Sequence, residues 1–151
     1  MKKQRTKFQK YNDLYDAFKC AQQGIPLKRS RAKDGSISTR PIVEVEPVPE
    51  REVLIRCLAW LKKRRILCWR HDCGTFKNER GKWGTYGMKY AGDIIGLLPD
   101  GCHFEIETKS GKGGRLSEGQ QKRMRDIIQR NGVYLVIHGV DELEYHFGRY
   151  V

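Results

Sequence analysis

Within GDIIGLLPDGCHFEIETK, residues 92–109, an aspartate, two glutamates and a lysine stand at spacings that could do chemistry. Along Phe104–Lys109 a strand would put Glu105, Glu107 and Lys109 on one face and Phe104, Ile106 and Thr108 on the other. The apolar runs on either side of LPDG predict a β-hairpin: Pro99 presets φ for the first corner, Asp100 suits the second, and Gly101 takes a left-handed position. With Leu98 and Cys102 flanking that turn, Asp93 falls opposite Glu107. Directly opposed residues hold their Cβ atoms about 4.5–5.5 Å apart. Carboxylates that close repel unless a positive charge lies between them. A divalent, oxygen-seeking cation such as Mg2+ answers the repulsion, because it binds through a few carboxylates together with phosphate oxygens. Lys109 beside it would contact a phosphate or hold an attacking water. These are the parts needed to hydrolyse a phosphodiester. The plainer alternative is a solvated face on which Glu105, Glu107 and Lys109 make cross-strand ion pairs.

The rest of the composition fits a polyanionic partner. The chain has 151 residues, enough for one domain, with 30 Lys and Arg against 18 Asp and Glu and a formal net charge of +12. Nucleic acid is the first expectation. A membrane is not expected, since there is neither a basic amphipathic helix nor a long apolar run. The opening MKKQRTKFQK lacks the apolar centre of a signal peptide, so a cytoplasmic location is expected. Five irregularly spaced cysteines fit reduced thiols. Structural zinc is disfavoured because Cys102 and His103 would face opposite ways on a strand.

Several elements must position the acids. After the basic arm, Tyr11, Leu14, Tyr15, Phe18 and Ala21 recur at helical spacing up to Gly24. Residues 25–40 read as a basic loop and PIVEVEPVP as an extended edge segment. From Glu50 to about Arg65, Val53, Leu54, Cys57, Leu58 and Leu61 form a helical stripe, and RILCWRH follows as a strand. Residues 74–92, glycine-rich and aromatic, read as a long functional loop. Beyond the acidic hairpin, Ser117–Asn131 is a helix opened by a capping box and closed by Gly132. VYLVIH is wholly apolar and is therefore expected at the centre of a sheet. The tail DELEYHFGRYV stays unassigned. The order is that of an α/β domain with one mixed sheet: an accessory region 1–49, a core 50–140 and a tail 141–151.

Asp93 followed by Glu107-Thr108-Lys109 resembles the signature of the PD-(D/E)XK nucleases. More narrowly, GDIIG, FEIETK, GKGGRLSEGQ and the strand after them resemble the virus-type replication-repair nuclease (VRR-NUC) domain, over about residues 50–138. That resemblance implies a restriction-endonuclease-like core with a central mixed β-sheet flanked by helices. It also implies Mg2+- or Mn2+-dependent cleavage of DNA, including Holliday junctions in small phage and bacterial members. By position, Asp93 and Glu107 would bind metal, with the main-chain carbonyl of Thr108 as a third ligand and Lys109 at the scissile phosphate or the water. Gly92 stands where the superfamily has proline. The family's early helical glutamate corresponds to Glu50 or Glu52. Glu50 runs with Leu54, Cys57 and Leu61 and is preferred, as a ligand through water or to a second metal. Glu52 runs with Arg56 toward solvent. A plain helix-start acid remains the other reading of Glu50. Gln120 matches the family's glutamine and is also the third residue of the capping box. Glu105 lacks the spacing to lysine that Glu107 has.

Lys112, Arg115 and Lys122, with the backbone amides of Gly111, Gly113 and Gly114, are expected to hold DNA. Trp83, Tyr86 and Tyr90 could stack on an opened base, but packing against the core or a partner subunit is the preferred reading. His71 is expected to be structural. The leading expectation is a junction resolvase, working as a C2 homodimer because paired cuts need two sites. The alternatives are a non-catalytic nucleic-acid binder and a nuclease acting on flaps or duplex.

Overall fold

A computed structural model of the chain describes Gly24 and residues 34–148. The basic arm and the helix expected over Tyr11–Ala21 lie outside the described residues. In order, the elements are β1 (Ile37–Thr39), α1 (Glu50–Lys63), β2 (Leu67–Arg70), β3 (Gly74–Lys77), β4 (Trp83–Tyr86), β5 (Ile94–Leu97), β6 (His103–Thr108), β7 (Gly114–Leu116), α2 (Glu118–Ile128), β8 (Val133–Ile137) and α3 (Val140–Phe147). This is a mixed α/β architecture. Its main sheet has the order β2-β5-β6-β8, with antiparallel pairs except for the parallel β6–β8.

Alternation along the strands sorts the side chains into two layers. Phe104 and Ile106 of β6, Ile94 of β5 and Ile137 of β8 meet the α1 stripe of Val53, Leu54, Cys57, Trp60 and Leu61. Helix α3 adds Leu143 and Phe147, both fully buried, with the Phe147 ring edge-on to those of Phe104 and Trp60. On the other side, Met124 and Ile127 of α2 pack with Ile37, Leu116 and Tyr134. The residues after 140, unassigned in the sequence, therefore complete the main core.

Other expectations need correction. Strand β8 lies at the edge of the sheet, not its centre. Its apolar run reflects helices covering both faces, as is usual for a parallel strand. Residues 25–40 were expected as loop throughout, yet β1 forms there and pairs with β7, Ile37 opposite Leu116 and Thr39 opposite Gly114. The long loop after Cys73 holds a second hairpin, β3 with β4. Among the described residues Cys57, Cys68, Cys73 and Cys102 are free thiols, and no helix is long and apolar enough to cross a membrane.

Candidate active site

The LPDG turn sets the geometry. The amide of Leu98 donates to the Cys102 carbonyl at 2.8 Å, Gly101 adopts φ 85°, and Asp100 Oδ1 accepts from the Cys102 amide at 2.9 Å. The register that follows pairs Leu97 with His103 and Ile94 with Ile106. Asp93 stands one residue beyond that last pair, in a bend. Its Oδ2 accepts from both the amide and the hydroxyl of Thr108, each at 2.7 Å. Aspartate and glutamate thus meet at one end of the β5–β6 ladder.

Glu107 is 3% exposed and Lys109 7%. Lys109 Nζ donates to Glu107 Oε1 at 2.7 Å, and Gln120 Nε2 donates to the same oxygen at 2.5 Å. Gln120 thus contacts Glu107 and caps α2 through different atoms. Its amide donates to Ser117 Oγ and its Oε1 accepts from the Ser117 amide, completing the capping box of α2. The box fixes the start of the helix, and the helix delivers the side-chain amide to Glu107. Burial raises the Glu107 pKa from 4.5 to about 7; the charge of Asp93 adds to the rise, Lys109 opposes it, and Glu50 adds a smaller push.

That shift has a sign that can be checked. A carboxyl whose pKa is higher in the folded chain binds protons more tightly there than when unfolded. Its stabilising contribution is complete below the unfolded pKa and is lost as pH climbs through the folded one. Metal-free protein should lose stability between about pH 4.5 and about pH 7, on the order of 3 kcal/mol from this group. Urea unfolding in EDTA at pH 5 and pH 8, against Glu107→Gln, isolates the effect; identical slopes would mean that Glu107 titrates as an ordinary acid.

Glu105 belongs to a different circuit. It is fully buried and bonded to Arg123 of α2, to His103 Nε2 at 3.0 Å and to the Gly92 amide at 2.9 Å. The hydrogen bonds of Arg123, Gly92 and His103 outweigh desolvation and hold its pKa below the usual value. Glu105 is therefore a fully paired strut. Gly92 is explained at the same point. Its amide is needed as a donor, which proline lacks, and a Cβ would meet the Ile106 backbone at 2.8 Å.

Helix α1 separates the two early glutamates. Glu52 pairs with Arg56 at 2.7 Å, and Arg56 also reaches Glu46. Glu50 opens the helix, exposed, and is the glutamate whose charge is felt at Glu107.

The expected phosphate cradle is only partly free. The Gly111 amide donates to the Val48 carbonyl at 3.0 Å and that of Gly113 to the Ser110 carbonyl at 2.8 Å, so neither amide is available to DNA. Gly113 instead supplies φ 104°, and Gly114 leaves room for the Lys109 stem, which a Cβ would meet at 2.8 Å. Arg115 is tied to β1, donating to Ser36 Oγ at 2.7 Å and to the Ser36 carbonyl at 2.8 Å. Lys112 and Lys122 are exposed. Trp83, Tyr86 and Tyr90 do not pack into the core and are also exposed. His71 is structural, its Nε2 accepting from the Met88 amide at 3.0 Å.

Arg123 was missed in the sequence, although it sits one helical turn after Gln120 on the same face, a spacing that brings side chains together. Tyr134 was missed too. Burial, with the charges of Glu107, Glu105 and Asp93, pushes its pKa up, and its hydroxyl has no partner among the described residues.

Among the described residues no three His, Cys, Asp or Glu side chains converge as a ready metal cage. Asp93 and Glu107 are the only acids of the expected set at the ladder end, so a cation there would need main-chain or substrate oxygens as well. Magnesium binds in that way. Burial and the nearby charge of Asp93 both disfavour a bare carboxylate at Glu107, which a divalent cation would relieve, so the donor set fits. Comparison of the chain with known protein families, with characterised proteins and with solved structures gives no match in any of the three.

Proposed function

We propose that this protein is a Mg2+- or Mn2+-dependent endodeoxyribonuclease with a restriction-endonuclease-like core, acting on branched DNA as a cytoplasmic homodimer. The observation that supports it most is the buried Glu107–Lys109 pair, fastened by Gln120 and crowded by Asp93. A solvated ion-pair face would not be buried. A protein that only bound nucleic acid would gain nothing from acids crowded beside a phosphate backbone.

In this reading Asp93, Glu107 and the Thr108 carbonyl would hold the metal, and Glu50 would act on it through water. When bound, such an ion would supply polarisation of the phosphate and a lowered pKa of water. Lys109, positioned by Glu107, presents its ammonium to the charge that develops on the phosphate. Gln120 keeps the Glu107 carboxylate in one orientation, because its own side chain is fixed by the capping box. Lys112 and Lys122 neutralise flanking phosphates.

Labelled four-way junction, flap and linear duplex, each incubated with Mg2+ or with EDTA, test the proposal. Paired cuts in the junction with Mg2+, none with EDTA and poor cutting of duplex are expected. Absence of cutting on every substrate would leave a non-catalytic binder. Equal cutting of flaps and junctions, with a monomer by light scattering, would remove the resolvase assignment and keep the nuclease.

A further inference from the structure

The β3–β4 hairpin turns aromatic rings toward solvent. In its ladder Phe76 opposes Gly84 and Tyr86 opposes Gly74. Each ring covers the opposing glycine so closely that a Cβ there would meet it at 2.7 Å. The rings share one face of the ribbon and stay 50% and 52% exposed. On the other face Trp83, 72% exposed, neighbours Lys77, whose Nζ lies 5.9 Å from the ring.

Exposed apolar surface of this kind marks a binding site, and the charge around it selects the occupant. Arg70, Lys77, Arg80, Lys82 and Lys89 outnumber Asp72 and Glu79 along the segment. Rings interleaved with cations suit a polyanion whose repeating unit is flat and apolar. The root of the hairpin is tied to the ladder end. The His71 amide donates to the Asp93 carbonyl at 2.7 Å, its ring accepts from the Met88 amide, and Tyr90 covers Gly119 beside Gln120. Tyr90 holds φ 67°, a conformation that side chains other than glycine rarely adopt.

We infer that the Phe76–Tyr86 face of this hairpin is a stacking platform for unpaired bases of a nucleic-acid strand, with Phe76 and Tyr86 under the bases and Arg80 and Lys82 at the phosphates. Stacking of this type tolerates any base, since each has a π-face. The inference deepens the nuclease reading by naming single-stranded segments as what the protein grips. It rests on that reading only for the choice of nucleic acid as polymer.

The test measures binding in EDTA, so that affinity is read apart from cleavage. Its probes are a fluorescein-labelled oligothymidylate and a blunt duplex of equal length. Phe76→Ala/Tyr86→Ala should lose about tenfold or more in affinity for the single strand, and less than about twofold for the duplex, which phosphate contacts hold. Phe76→Leu/Tyr86→Leu keeps apolar surface without π-faces and should lose single-strand affinity as well. Equal losses on both probes, or no loss, would overturn the platform. So would a wild-type dimer that Phe76→Ala/Tyr86→Ala converts to monomer with single-strand affinity unchanged, because the rings would then be a subunit contact. Single-strand binding that depends on the rings, in a protein that cuts nothing with Mg2+, would leave the platform standing and remove the nuclease. Cutting with no ring dependence would do the reverse.

Discussion

Glu107→Gln should lower Mg2+-dependent cleavage about a thousandfold or more while leaving DNA binding in EDTA unchanged or tighter. Glutamine keeps the side-chain shape and an oxygen for Lys109 Nζ, now 2.7 Å away, so the local packing survives. What disappears is the charge that would hold a divalent cation with Asp93. Loss of a carboxylate near phosphates also removes a repulsion, hence the expected gain in binding. Asp93→Asn should behave alike, with a smaller structural penalty than alanine because its oxygen can still accept from Thr108. A Glu107→Gln protein that cuts near the wild-type rate would return this face to an ion pair without catalytic purpose.

Arg123→Ala should cost about 3–5 kcal/mol of folding stability, the usual price of leaving a buried charge without its partner. Glu105 would keep only His103 and the Gly92 amide in a place with no access to water. Urea unfolding gives the number. A loss below about 1 kcal/mol would mean that the pair is screened like a surface ion pair. Cleavage per folded molecule should fall far less than in Glu107→Gln, since the partner of Arg123 is Glu105. If both results hold, the two variants would separate the neighbouring glutamates of β6 into one needed for cleavage and one that holds the sheet to α2.

The parts of this fold that were legible in the sequence are those encoded locally. LPDG specifies its own turn, and with it the register that brings Asp93 to the end of the ladder near Glu107. The α1 stripe and the Ser117–Gln120 box likewise need only nearby residues. What stayed hidden depends on partners far along the chain. Strands β1 and β7 have three residues each and no alternation to announce them. The β3–β4 hairpin was read as loop because glycines occupy positions where a strand normally shows side chains, and the aromatic opposite is what fills the space. Helix α3 is short, and its value lies in Leu143 and Phe147 reaching a core assembled from other segments. At the site, Glu105 and Glu107 look alike along the strand. Arg123 tells them apart, and only packing of α2 on the sheet brings it there.

The β1–β7 ladder carries a consequence for motion. About 75 residues separate Thr39 from Gly114, so pairing them closes a large loop at an entropic cost of about 4 kcal/mol by the logarithmic rule. Three pairs, the Arg115 contacts with Ser36 and Ser38, the Thr39–His138 contact and the packing of Ile37 and Leu116 against Met124, Ile127 and Tyr134 oppose that cost. The β5–β6 ladder closes over a five-residue turn and lies inside the main core. Opening of β1 from β7 is therefore a sub-global event, available while the main sheet stays intact. Gly114 of β7 lies against the Lys109 stem, so one wall beside the lysine belongs to this small ladder and not to the main sheet. The shelter of the ammonium at the candidate site therefore depends on how firmly a segment from outside that sheet is held.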